Sequence, residues 1–190
     1  MSAVLPLKRH KLSVEDYHRM GEVGVLAPGA RVELIEGEVI DMAPIKSEHA
    51  SVVGVLSSFF FRNIGEAGTV FSQGSIRLPP DSELQPDIVV LKYRADYYRN
   101  YLPKASEVLL LIEVSDTTAA YDRRIKLPLY AHHGIPEFWL VDLKAERLEV
   151  HSGPKGKSYG SLRRLGKRDT VTPGLLPGLT LHLKEIWPTS

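Results

Sequence analysis

The run Val108-Leu109-Leu110-Leu111-Ile112, closed by Glu113 and Val114 in the stretch EVLLLIEVSDTT, constrains the fold more than any other segment. A continuous apolar run of this length reads as a strand covered on both faces. An ionised carboxylate at its end costs on the order of several kcal/mol unless something neutralises it. Either Glu113 reaches the sheet edge and water, or it has a partner such as a metal ion.

The 190 residues suffice for one sizeable core, so a single domain over residues 1–190 is expected. With 43% hydrophobic and 25% charged residues and a net charge of +1, there is no basic or acidic tail, and nucleic-acid binding must come from local clustering. The absence of cysteine removes disulfides, thiolate catalysis and cysteine zinc sites together. The N-terminal apolar patch is short and broken by Pro6. It is neither a secretory signal nor a membrane span, so a cytoplasmic protein without a membrane partner is expected.

Ser13 caps a short helix over VEDYHRM, and Asp16 completes a capping-box pattern. RVELIEGEVIDMAP reads as two strands joined through Glu36-Gly37. Ser47 reads as the N-cap of a helix to about Ile64, in which Val53, Leu56, Phe60 and Ile64 share a face and Gly65 marks the stop. TVFSQGSIRLP is a strand or bent hairpin, QPDIVVLK a strand entered through Pro86, and YRADYYRNYLPKAS a loop or short helix. TAAYDRRIKLPLYAHHG is helical in pattern up to Gly134, with Pro128 kinking or splitting it. EFWLVD and RLEVHS pair as strands, a basic loop GPKGKSYGSLRRLGKR follows, and LLPGLTLHLKEIW supplies a strand and a last helical turn. The fold class expected from this order is α/β: a mixed sheet with helices on its faces.

Asp87 opens one of these strands and Glu113 ends another. If the two strands are neighbours, both carboxylates meet at one end of the sheet. Held close, they repel, and one takes up a proton unless a cation lies between them. A hard divalent ion such as Mg²⁺ is bound by one or two carboxylates and keeps waters for a phosphate to displace. Lys126 lies one helical turn beyond Asp122, so the two share a face, and its ammonium can offset charge on a phosphate.

These residues resemble the PD-(D/E)XK nuclease superfamily. VELIEGEVIDMAP, EHASVVGVL, QPDIVVL, LLIEVSDTT and YDRRIKLPLYAHHGIPEFWLVD resemble, in that order, the Uma-type family of putative restriction endonucleases. The likeness spans roughly residues 12–151, leaving 152–190 as a basic, β-rich extension. It implies a restriction-endonuclease-like sheet core flanked by helices and Mg²⁺-dependent cleavage of DNA, with Mn²⁺ as the alternative metal. Carried over, Asp87 and Glu113 are metal ligands and Lys126 the catalytic lysine. The chain departs from the superfamily's short motif, because Ser115 and not lysine stands two residues after Glu113.

Glu48 and His49, at the start of the second helix, are supporting candidates; the plain alternative for Glu48 is a favourable charge at the helix N-terminus. Asp122 orients Lys126, caps its helix or touches metal. Arg123 and Arg124 are the candidate phosphate contacts. His132 and His133 are adjacent helical positions that do not face one another, so helix-end histidines are the better reading. Phe138 and Trp139 read as core or dimer contact. The run with Lys155, Lys157, Arg163, Arg164, Lys167 and Arg168 either follows a phosphate backbone or is a solvated hairpin. Taken singly, Asp87 could be a turn aspartate, Glu113 a strand-end residue paired to an arginine, and Lys126 a solvated lysine. The leading expectation is a homodimeric, metal-dependent DNA endonuclease. Its rival is a catalytically silent nuclease fold that binds nucleic acid or protein.

Overall fold

The apolar run forms an eight-residue strand, Val108–Ser115, inside a six-stranded sheet and away from its edges. The computed structural model describes residues 9–187, and the patch broken by Pro6 lies outside them. In chain order the elements are α1 (Val14–Glu22), β1 (Val32–Ile35), β2 (Glu38–Asp41), α2 (Ser47–Asn63), β3 (Thr69–Ser72), β4 (Ile76–Leu78), β5 (Ser82–Leu84) and β6 (Ile88–Leu91). After them come β7 (Val108–Ser115), α3 (Ala119–Tyr121), α4 (Leu127–His132), β8 (Glu137–Asp142), β9 (Arg147–Lys155), β10 (Ser158–Gly166), β11 (Thr170–Val171) and β12 (Leu181–His182).

The chain divides into two units, one comprising the residues through Ala43 with Arg77–Leu84, the other Pro44–Ile76 with Gln85 onward. In the first, the strand order is β2-β1-β5-β4. The β1–β2 hairpin turns on Glu36 and Gly37, both at positive φ (46° and 77°), the backbone that a tight two-residue turn needs. A Cβ on Gly37 would lie 2.7 Å from the Lys11 Cβ, so glycine is required there for space as well. Ser13 and Asp16 form the reciprocal capping box expected for α1.

The second unit holds the six-stranded sheet, ordered β10-β9-β8-β7-β6-β3. Its pairings are antiparallel except for β7 with β8, which run parallel because α3 and α4 carry the chain back between them. Alternation along β7 sends Leu110, Ile112 and Val114 into the main core. There they meet Val52, Val53, Leu56 and Phe60 of α2 together with Trp139, Val141, Leu148 and Val150. Leu111, Glu113 and Ser115 point to the other face, where α3 and α4 lie. Leu176, Leu179, Leu181, Leu183, Ile186 and Trp187 complete the core from the C-terminal segment. Trp139 and Phe138 are both fully buried side chains.

Three expectations change. Ser47 is the first residue of α2, and the N-cap is Lys46, with no side-chain bond to the helix. TVFSQGSIRLP is not one hairpin: β3 joins the edge of the six-stranded sheet and β4 the edge of the other. The basic segment is largely β10, paired along its length to β9 rather than looped. Its Ser, Gly, Leu and Arg residues carry no period-2 apolar signal because β10 is an exposed edge strand, where charge blunts further pairing.

Pro128 does split its helix, through a specific device. Residues Asp122–Lys126 adopt a π-helical turn, with the Leu127 N–H donating to the Asp122 carbonyl five residues back. A proline at 128 removes the N–H that a regular helix would direct to the Arg124 carbonyl, and its ring would collide there. The widened turn relieves that conflict.

Candidate active site

Asp87 immediately precedes β6, whose antiparallel register with β7 pairs Ile88 with Ile112. Continued by one residue, that register sets Asp87 opposite Glu113 on one sheet face. Both are buried, at 7% and 5% exposure, so Glu113 does not escape to water at an edge. The Val114 N–H donates to Asp87 Oδ2 at 2.8 Å, and His49 Nε2 lies 3.0 Å from the same oxygen. Lys126 Nζ donates to Glu113 Oε1 at 3.0 Å, and the Tyr130 hydroxyl donates to that oxygen at 2.7 Å. Two donors on one oxygen of each carboxylate fix the orientation of both.

Lys126 is itself buried, at 7% exposure, which is rare for lysine unless it is paired. Asp122, from the same π-turn, accepts one hydrogen bond from Ser115 Oγ and one of 3.1 Å from Thr118 Oγ1. The serine that stands where the superfamily's short motif has lysine is thus tied to the helix carrying Lys126. Burial pushes the Asp122 carboxyl above its ordinary value. The Lys126 charge and the Ser115 and Thr118 bonds oppose that push, and the Asp87 charge adds to it.

That shift gives a testable sign. A carboxyl raised in the folded state contributes stability below its unfolded value of about 3.8 and loses it as pH rises through the folded value. Asp122→Asn does not titrate. Its stability relative to wild type therefore increases between pH 4 and pH 7 in urea unfolding. A difference that stays constant or shrinks over that range refutes the burial argument.

The other candidates are placed differently. Glu48 is exposed in the first turn of α2 and makes no side-chain hydrogen bond among the described residues, while its neighbour His49 reaches Asp87. Arg123 bridges two strands, donating to Asp142 Oδ2 at 2.6 Å and Glu149 Oε2 at 3.1 Å. Burial works to raise Glu149, but Arg123, Arg164 and His151 overcome it and hold the carboxyl below its ordinary value. Arg124 is exposed. Lys46 and Asp116 form an ion pair of 2.5 Å. His132 and His133 end α4 with their rings edge to face.

Tyr130 escaped the sequence reading, although it stands four residues after Lys126 and helical spacing puts the two on one face. Its ring packs on Phe138 at 5.4 Å while its hydroxyl donates to Glu113 Oε1. The contribution of the Val114 N–H carried no side-chain signal at all.

Asp87 and Glu113 supply hard oxygen donors in cross-strand register, which suits a Mg²⁺ ion held by two carboxylates. Among the described residues no group of three or more His, Asp or Glu side chains is arranged to hold a metal. Two carboxylates alone would leave the remaining positions of a bound ion to water and substrate.

The chain is thus of the mixed α/β class, its sheet flanked by helices, with Asp87 and Glu113 buried on neighbouring strands and Lys126 paired to Glu113. It belongs to the Uma2 family, described as a putative restriction endonuclease, whose sequence model matches residues 14–184. The fold is similar to the crystal structure of a putative nuclease belonging to DUF820 from Anabaena variabilis. That protein is 16% identical, with a TM-score of 0.69 over 93% of this chain and 97% of the other. No curated protein matches the chain. Among the described residues, no helix is long and apolar enough to cross a membrane.

Proposed function

We propose that the protein is a metal-dependent DNA endonuclease, with Asp87 and Glu113 holding the cation and Lys126 as the catalytic lysine. The observation that carries this reading is the buried cross-strand carboxylate pair with Lys126 Nζ 3.0 Å from Glu113 Oε1. A bound Mg²⁺, or Mn²⁺ in its place, supplies Lewis-acid stabilisation of the phosphate and makes water a nucleophile near neutral pH. Glu113 and Asp87 are presented by fixed strands, and their orientation is set by Tyr130, His49 and the Val114 N–H. Lys126 would bring its ammonium charge to a phosphate oxygen, where negative charge grows as water adds to phosphorus and the ester oxygen leaves. Asp122 holds the π-turn against Ser115 and so keeps Lys126 aimed. The protein acts as a homodimer, the arrangement that two-strand cleavage favours.

A supercoiled plasmid incubated with the purified protein and Mg²⁺ or Mn²⁺ is expected to be nicked or linearised, and the same mixture with excess EDTA is not. Cleavage that survives chelation defeats the metal-dependent reading. The Ser115–Asp122 bond favours a second reading, a silent fold that has given up the short-motif lysine. Plasmid retarded on a gel but uncut under every metal condition would select it.

A further inference from the structure

Resting on that nucleic-acid reading, we propose that the loop 92–104, at the sheet end remote from Asp87 and Glu113, is a second contact surface that grips single-stranded DNA by stacking and charge. The loop joins β6 to β7, and from Val108 to Glu113 is about 17 Å of extended strand. It reads KYRADYYRNYLPK, four basic residues against Asp96 alone.

Tyr98 anchors this loop, Tyr101 packs on it with its hydroxyl donating to Glu107 Oε1 at 2.6 Å, and Tyr93 and Tyr97 are turned outward. Tyr98 is 4% exposed, donates its hydroxyl to the Lys92 carbonyl at 2.8 Å and packs edge-on against Phe71 and Tyr101. Burial pushes its hydroxyl up to about 12. Arg94 stands 5.3 Å and 5.2 Å from the Tyr98 and Tyr101 ring centres, and Asp96 accepts two hydrogen bonds from its guanidinium. By contrast, Tyr97 is 65% exposed, Tyr93 44% and Tyr101 39%.

Tyr97 and Tyr98 are consecutive non-glycine residues at positive φ, 50° and 57°. Bulky residues rarely adopt that backbone, and it persists only where the surroundings enforce it. Here it drives Tyr98 inward and leaves Tyr97 projecting from a braced loop. An exposed ring on such a backbone offers its face to an unpaired base. Beside it, Lys92, Arg99 and Lys104 are exposed and have no ion-pair partner among the described residues, whereas Arg94 is matched by Asp96. Aromatic faces interleaved with uncompensated cations match a strand of unpaired bases on a phosphate backbone. A paired duplex buries the base faces that Tyr97 would need, so the single strand is the preferred form.

The test is fluorescence anisotropy of labelled (dT)₂₀ and a 20-base-pair duplex with the full chain in EDTA, where hydrolysis does not compete. Tyr97→Gly and Tyr97→Asn both tolerate positive φ, so each removes the ring without straining the loop. Each is expected to weaken (dT)₂₀ binding about fivefold or more, while Tyr97→Phe stays within about twofold. Replacing Lys92, Arg99 and Lys104 together by alanine lowers the log–log salt slope for the single strand by about 2. Unchanged (dT)₂₀ affinity in both ring-deletion variants overturns the proposal, as does a wild type that binds only duplex. Light scattering in which Tyr97→Gly turns a dimer into monomers overturns it too, assigning the loop to a second copy. Metal-dependent nicking with loop-independent binding removes this surface and leaves the nuclease. Loop-dependent binding by a protein that never nicks does the reverse.

Discussion

Asp87→Asn is expected to lower plasmid nicking by roughly 10³-fold or more while leaving the thermal midpoint close to that of wild type. In the proposed mechanism several kcal/mol of transition-state stabilisation would rest on the cation, and the substitution removes one of the two carboxylates that would hold it. Asparagine keeps the volume and an oxygen that can accept the Val114 N–H, now made by Asp87 Oδ2 at 2.8 Å. Asp87→Ala removes that acceptor as well. It leaves a buried amide unsatisfied, at a cost of about 1–3 kcal/mol, so this variant loses stability together with activity. Measuring both variants by nicking and by urea unfolding separates charge from scaffold. Asp87→Asn protein that nicks at the wild-type rate rules out the carboxylate as a ligand.

Lys126→Met has the largest predicted effect on stability. Its ammonium pairs with Glu113, both side chains are buried, and removing the lysine leaves a buried carboxylate without that cation. Breaking such a pair costs about 3–5 kcal/mol. Adding Glu113→Gln removes the stranded charge, so the double variant is expected to be more stable than Lys126→Met alone, with neither variant nicking DNA. Equilibrium urea unfolding of the two single variants and the double gives the coupling directly. A Lys126→Met protein as stable as wild type contradicts the buried pairing. One that nicks at the wild-type rate contradicts the catalytic assignment.

What could be read from the amino acids follows the range of the signal. The β7 strand was legible because five consecutive apolar residues admit few alternatives, and the Glu36-Gly37 turn because its backbone chemistry is local. The meeting of Asp87 with Glu113 depended on β6 and β7 being neighbours, which was a conditional from the sequence and is a registered pair in the structure. Arg123 illustrates what stays hidden. From its position it looked available to phosphate, but Asp142 and Glu149, on strands formed later in the chain, take its guanidinium. The division into two units was equally silent, because β4 and β5 come after α2 and β3 in sequence yet join the sheet of the β1–β2 hairpin. The basic segment read as a loop or a solvated hairpin, and it is the hairpin, β10 lacking a strand signal because alternation marks a strand only when one of its faces is buried.

The widened turn at 122–126 has a consequence for inheritance. One surplus residue in a revolution rotates everything downstream by about 100° relative to an ordinary helix. The aim of the amine is therefore coupled to an imino ring two positions away that touches no reacting atom. Changes at Pro128 that look harmless in isolation would let the screw rewind and swing the ammonium off its carboxylate.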